Sequence, residues 1–100
     1  MIKFKYQFMT WAECLYYSAS VDGKELPVYI IKSPENRFGL RSINIRPNGN
    51  DVWRVFYKLF PNYQKGTDVG CTDINECKRF LQEVANEIFG TLPKLDFLKV

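Results

Sequence analysis

From the second residue onward the chain alternates: Ile2, Phe4, Tyr6 and Phe8 fall on one side of an extended backbone, and Lys3, Lys5 and Gln7 on the other. A period of two belongs to a strand with one buried face, so residues 2–9 are expected to form a strand. The next alternating stretch centres on Asp22-Gly23, a dipeptide suited to a two-residue type I′ hairpin turn because both positions tolerate positive φ. A turn there pairs Val21 with Lys24, Ala19 with Leu26, Tyr17 with Val28 and Leu15 with Ile30. One face becomes apolar and the other carries Tyr16, Ser18, Ser20, Glu25 and Tyr29. Thr10 and Glu13 also have the spacing of a capping box, which would start a short helix over residues 11–19. The hairpin is the preferred reading because turn chemistry and burial pattern agree.

A second hairpin is expected over residues 39–60, turning at Pro47-Asn48-Gly49-Asn50-Asp51. For Ile43 and Ile45 to face the same side as Trp53, Val55, Tyr57 and Leu59, the loop must hold an odd number of residues. The opposite face would then interleave Ser42, Asn44, Arg46, Arg54 and Lys58 with Val52, Phe56 and Phe60. Beyond a loop over 61–72, Asp73 and Glu76 can form a capping box, or Thr72 can cap. Apolar residues then recur at three- and four-residue spacing through Ile74, Cys77, Leu81, Val84, Ile88 and Phe89 until Gly90 stops the helix. The last ten residues, with Leu92, Leu95, Phe97, Leu98 and Val100, are expected to return as an edge strand or to pack over an exposed patch. These elements make an α+β fold: an antiparallel sheet of about five strands with one C-terminal helix packed on one face.

Composition bounds the rest. One hundred residues, 46% of them hydrophobic, suffice for one core, so residues 1–100 are read as a single domain. Apolar runs are only a few residues long, and Lys3 and Lys5 interrupt the first, which leaves no membrane span or secretory leader and places the chain in the cytoplasm. Three cysteines cannot all pair within one chain, which fits a reducing compartment. Histidine is absent, and with it the commonest general base and zinc ligand. Cys71 precedes the helix N-terminus, where a thiol pKa can fall, but it has no histidine to act as base; Cys14 and Cys77 read as small hydrophobes. The six glycines match no nucleotide-binding pattern. A non-enzyme is therefore expected, with no catalytic residue, cofactor or metal.

The formal net charge is +3, but residues 32–65 carry seven basic groups against two acidic ones. The basic stretch coincides with the second expected hairpin, whose mixed face nominates Asn44, Arg46, Arg54, Phe56 and Lys58 as binding residues. The competing account is that another layer covers Val52, Phe56 and Phe60 while the basic groups are simply solvated. If the face is open, it suits a protein partner first; nucleic acid, with phosphates on the basic groups and a base on Phe56, is the alternative, and a second copy of the chain stays open. Membrane is not among the expected partners. A chain rich in Phe, Tyr, Ile, Asn and Lys has residues with AT-rich codons. That suits a small phage or mobile-element accessory that inhibits or modulates a larger host protein.

Overall fold

The computed structural model describes residues 1–90, and the expectation for 91–100 lies outside them. Strands β1 (Ile2–Met9), β2 (Leu15–Val21), β3 (Lys24–Glu25), β4 (Val28–Lys32) and β5 (Ile43–Pro47) precede helix α1 (Trp53–Leu59). Strand β6 (Val69–Cys71), helix α2 (Ile74–Ala85) and a π-helical turn over Asn86–Gly90 follow. The strands form one antiparallel sheet in the order β1-β2-β4-β5-β6, with β3 attached to β2. Helix α2 lies against the sheet, as the α+β reading requires.

The first hairpin forms with its turn where the sequence places it. Asp22 and Gly23 have φ of 51° and 80°, and Val21 pairs with Lys24. The Leu26 amide donates to the Ala19 carbonyl at 2.9 Å, again as expected. Pro27 then has no N–H to give the ladder, and the Val28 amide bonds back to the Leu26 carbonyl at 2.8 Å in a three-residue turn. Pairing resumes two residues out of the expected register, Tyr17 with Ile30 and Leu15 with Lys32. A slip of two preserves the faces, so the apolar side stays together. Residues 10–14 make the loop between β1 and β2 instead of a helix start: Thr10 Oγ1 accepts from the Cys14 amide at 3.2 Å, and Glu13 takes a φ of 65°.

Strand β1 departs from simple alternation near its end. Tyr6 pairs with Tyr17, yet Phe8 pairs with Tyr16, so Gln7 is an extra residue in a β-bulge. The bulge reverses parity, and Phe8 faces the side of Tyr16 instead of the side of Ile2, Phe4 and Tyr6.

The second hairpin does not form. Strand β5 pairs with β4 through Ile30 and Ile45, and on its other edge with β6 through Ile45 and Val69. Residues 53–59 are helical, following a turn in which Asp51 has a φ of 62°. The reason lies in the spacing. Arg54 and Lys58 are four apart, an even number and also about one helical turn, so they share a face under either period. Val52, Phe56 and Phe60 have the same spacing, and tertiary burial decides in favour of the helix. Phe56 becomes completely buried between the sheet and α2, in contact range of Phe60 and Tyr63.

Helix α2 is capped as expected: Asp73 accepts from the Glu76 amide at 2.8 Å, while Glu76 reaches back to the Thr72 amide at 3.0 Å. Its Cys77, Leu81, Val84 and Ala85 meet Ala19, Val21, Val28, Ile30 and Ile45 from the sheet in the main core. Tyr63 closes this core, and its hydroxyl donates to the Thr67 carbonyl at 2.7 Å, which removes the cost of burying it. Among the described residues both helices occupy one face, and none of them forms a layer over the face of Phe8, Tyr16, Tyr29 and Arg46.

Candidate binding surface

The five residues nominated from the sequence do not form one site. Asn44 and Arg46 lie on β5 and share the open sheet face, whereas Arg54 and Lys58 lie on α1. Phe56 has no exposed surface and cannot touch a ligand in this fold. Each nominated cation also has a carboxylate partner. Arg54 is 3.4 Å from Asp51, and Lys58 pairs with Glu87. Arg46 makes a two-pronged contact with Asp68, at 2.8 and 3.1 Å, and donates to the Tyr16 hydroxyl at 2.8 Å. The Asp68 carboxylate holds the Arg46 proton still more firmly than usual, partly against the effect of burial. A cation anchored in this way is a structural strut between β5 and the segment leading to β6.

Around that strut the open face carries aromatic rings. Phe8 and Tyr16 stack with centroids 4.7 Å apart, and Tyr29 meets both edge-on at 6.0 and 5.5 Å. Tyr16 and Tyr29 are on the side that the hairpin pattern assigns them. Phe8 is not, because no local signal in the alternation announces the bulge at Gln7.

Beyond these rings, the end of the sheet that holds the β1–β2 loop and the β4–β5 loop displays large apolar side chains. Trp11 is 97% exposed, Phe38 71%, Leu40 65% and Met9 55%. A depression of about 340 Å³ lined by Met9, Glu13, Leu15, Pro34, Glu35 and Arg41 joins the two loops. The longer loop is braced by its own hydrogen bonds. Asn36 Oδ1 accepts from the amides of Phe38 and Leu40 at 2.9 and 3.1 Å, and the two serines at its base, Ser33 and Ser42, bond to each other at 2.7 Å. Phe38 is further covered on one side by the Arg37 guanidinium, 4.9 Å from its ring centroid. Sequence reasoning passed over this end because isolated apolar residues in loops have no period to detect. Their only signal is that Trp11, Phe38 and Leu40 lie where a solvated turn would be polar.

Cys71 and Cys77 form one interacting thiol pair, in which the hydrogen bond between them pushes the Cys71 pKa above the ordinary thiol range and the Cys77 value below it. Among the described residues no group of three His, Cys, Asp or Glu side chains converges as metal ligands do, and no helix is long and apolar enough to cross a membrane. Compared with protein-family models, curated proteins and solved structures, the chain matches none.

Proposed function

We propose that this chain is a small non-enzymatic binding protein that inhibits or modulates a larger protein partner, using the end of the sheet formed by Met9, Trp11, Phe38 and Leu40. The supporting observation is the exposure of four large apolar side chains at one end of the sheet, Met9 at the end of β1 and Trp11, Phe38 and Leu40 on the two adjoining loops. Large apolar side chains exposed at one end of a domain suit an interface, and a loop already held by internal hydrogen bonds loses less conformational freedom on docking. The aromatic face beside it, with Phe8 and Tyr29, would extend the contact. The setting we propose is the cytoplasm, where three free thiols persist.

The basic cluster that motivated nucleic-acid binding is weakened as support, because Arg46, Arg54 and Lys58 are each engaged with a carboxylate. Affinity capture from low-GC bacterial lysates, followed by mass spectrometry, tests the reading. A specific protein retained by the native chain and lost with Trp11→Ser and Phe38→Ser is the expected result. Retention indifferent to both substitutions would reject this surface. A salt-sensitive shift of single-stranded oligonucleotides with no protein captured would favour nucleic acid instead.

A further inference from the structure

Strand β1 is an outer strand of the sheet, and its far side has no partner among the described residues. The bond from the Asp22 amide to the Met1 carbonyl, at 2.9 Å, sets the phase of the β1–β2 ladder. In an antiparallel pair successive residues point their backbone groups alternately toward and away from the neighbour. With Met1 bonded to β2, Lys3 and Lys5 also turn their amides and carbonyls inward, and Ile2, Phe4 and Tyr6 turn theirs outward. The outer edge thus offers three N–H and three C=O groups in regular register from Ile2 to Tyr6. It ends at the Gln7 bulge.

Side chains along this edge are sorted by face. Ile2 and Phe4 pack at the margin of the core, with Tyr6 beyond them 54% exposed. Lys3 and Lys5 project from the opposite face, and no carboxylate among the described residues pairs with either. Two lysines on an edge discourage a second copy from adding there, because antiparallel self-pairing about Lys5 would set like charges opposite each other. An incoming strand that alternates apolar and acidic residues meets no such penalty. Its backbone completes the six open groups, its apolar side chains extend the row of Phe4 and Tyr6, and its carboxylates fall beside the lysines.

We propose that β1 is the docking edge for an extended acidic segment of a protein partner, which adds to the sheet as a further strand alongside Ile2–Tyr6. This edge is separate from the Trp11 and Phe38 end, and the two can be tested apart. The probe is a blocked pentapeptide, Val-Glu-Val-Glu-Val, titrated at low salt into the isotopically labelled full chain, with Val-Lys-Val-Lys-Val as control. Amide hydrogen exchange is read residue by residue.

The acidic peptide is expected to slow exchange at Ile2, Phe4 and Tyr6 by about tenfold or more, while Lys3 and Lys5, already bonded to β2, change little. The Lys3→Glu, Lys5→Glu double variant should reverse the preference and bind the lysine peptide. Trp11→Ser should leave these results unchanged, even if it abolishes partner capture. Slow exchange at the three amides before any peptide is added would overturn the proposal, since the edge would already be covered. So would protection that rises with protein concentration alone, which would identify a second copy as the occupant, or peptide binding without protection of the three amides.

Discussion

Phe56 and Arg46 show how far a side chain's role depends on what surrounds it. Both lie in the basic, aromatic stretch, yet one is a core residue and the other a tie across the open face. Truncating the fully buried Phe56 removes a ring from a packed interior, so Phe56→Ala should destabilise the chain by about 3–5 kcal/mol in urea unfolding. On an exposed strand the same change would have cost little. Arg46→Ala breaks a two-pronged ion pair whose arginine side chain is 46% exposed, and solvent screening limits its worth. A loss of about 1 kcal/mol is expected, including the bond to Tyr16. Trp11, by contrast, contributes almost nothing to the fold: Trp11→Ser should change stability by no more than about 0.5 kcal/mol. A larger loss would mean that Trp11 is packed in solution.

Among the elements, α2 and the β1–β2 pair rest on different kinds of support. Helix α2 starts where Asp73 takes the Glu76 amide, and Asp73→Ala should cost about 1 kcal/mol and fray the first turn. The β1–β2 pair carries its bulge at Gln7, whose amide group is bonded to Ser18 Oγ at 3.0 Å. Deleting Gln7 removes the extra residue, so Phe8 follows Tyr6 directly and keeps the opposite face, paired with Tyr16 in a regular ladder. The observable consequence is that the Phe8–Tyr16 ring contact persists in nuclear Overhauser spectra while Ile2–Tyr6 keep their pairing. Loss of that contact would show that the bulge's own geometry, not the register alone, brings the two rings together.

Among the described residues the molecule is one-sided: a sheet carries the helices on one face and leaves rings, an edge strand without a partner and two loops with exposed apolar side chains on its other boundaries. The N-terminus is tied into this arrangement by its ammonium group, which bonds to Asp22 at the tip of the first hairpin. That bond and the ammonium charge hold the Asp22 carboxyl below its ordinary value of 3.8. Because the folded value is depressed, the tether is complete above the ordinary value and is lost as pH falls through the lower one. Acidification should therefore free the ammonium group from the Asp22 carboxyl below about pH 4, while the Met1 carbonyl stays bonded to the Asp22 amide; the change is seen as chemical-shift changes at Ile2 and Asp22, and Asp22→Asn should remove that transition. The same shifts in the Asn variant would assign it to another group.

Much of this was legible along the chain because the deciding contacts span few residues. The alternation of Ile2–Tyr6, the positive φ at Asp22-Gly23 and the cap at Asp73 are local, and each element appears where its pattern places it. Residues 53–59 were misread because a spacing of four satisfies both periods, and only burial of Phe56 against the sheet and α2 distinguishes them. The site was less legible still. Arg46 meets Asp68 across 22 positions and Tyr16 across 30, and Phe8 reaches Tyr16 only after a bulge reverses its face. Backbone preference and periodicity act between near neighbours and can be read in order. Which cation is neutralised, which ring is covered and which strand edge is left open depend on segments brought together by folding.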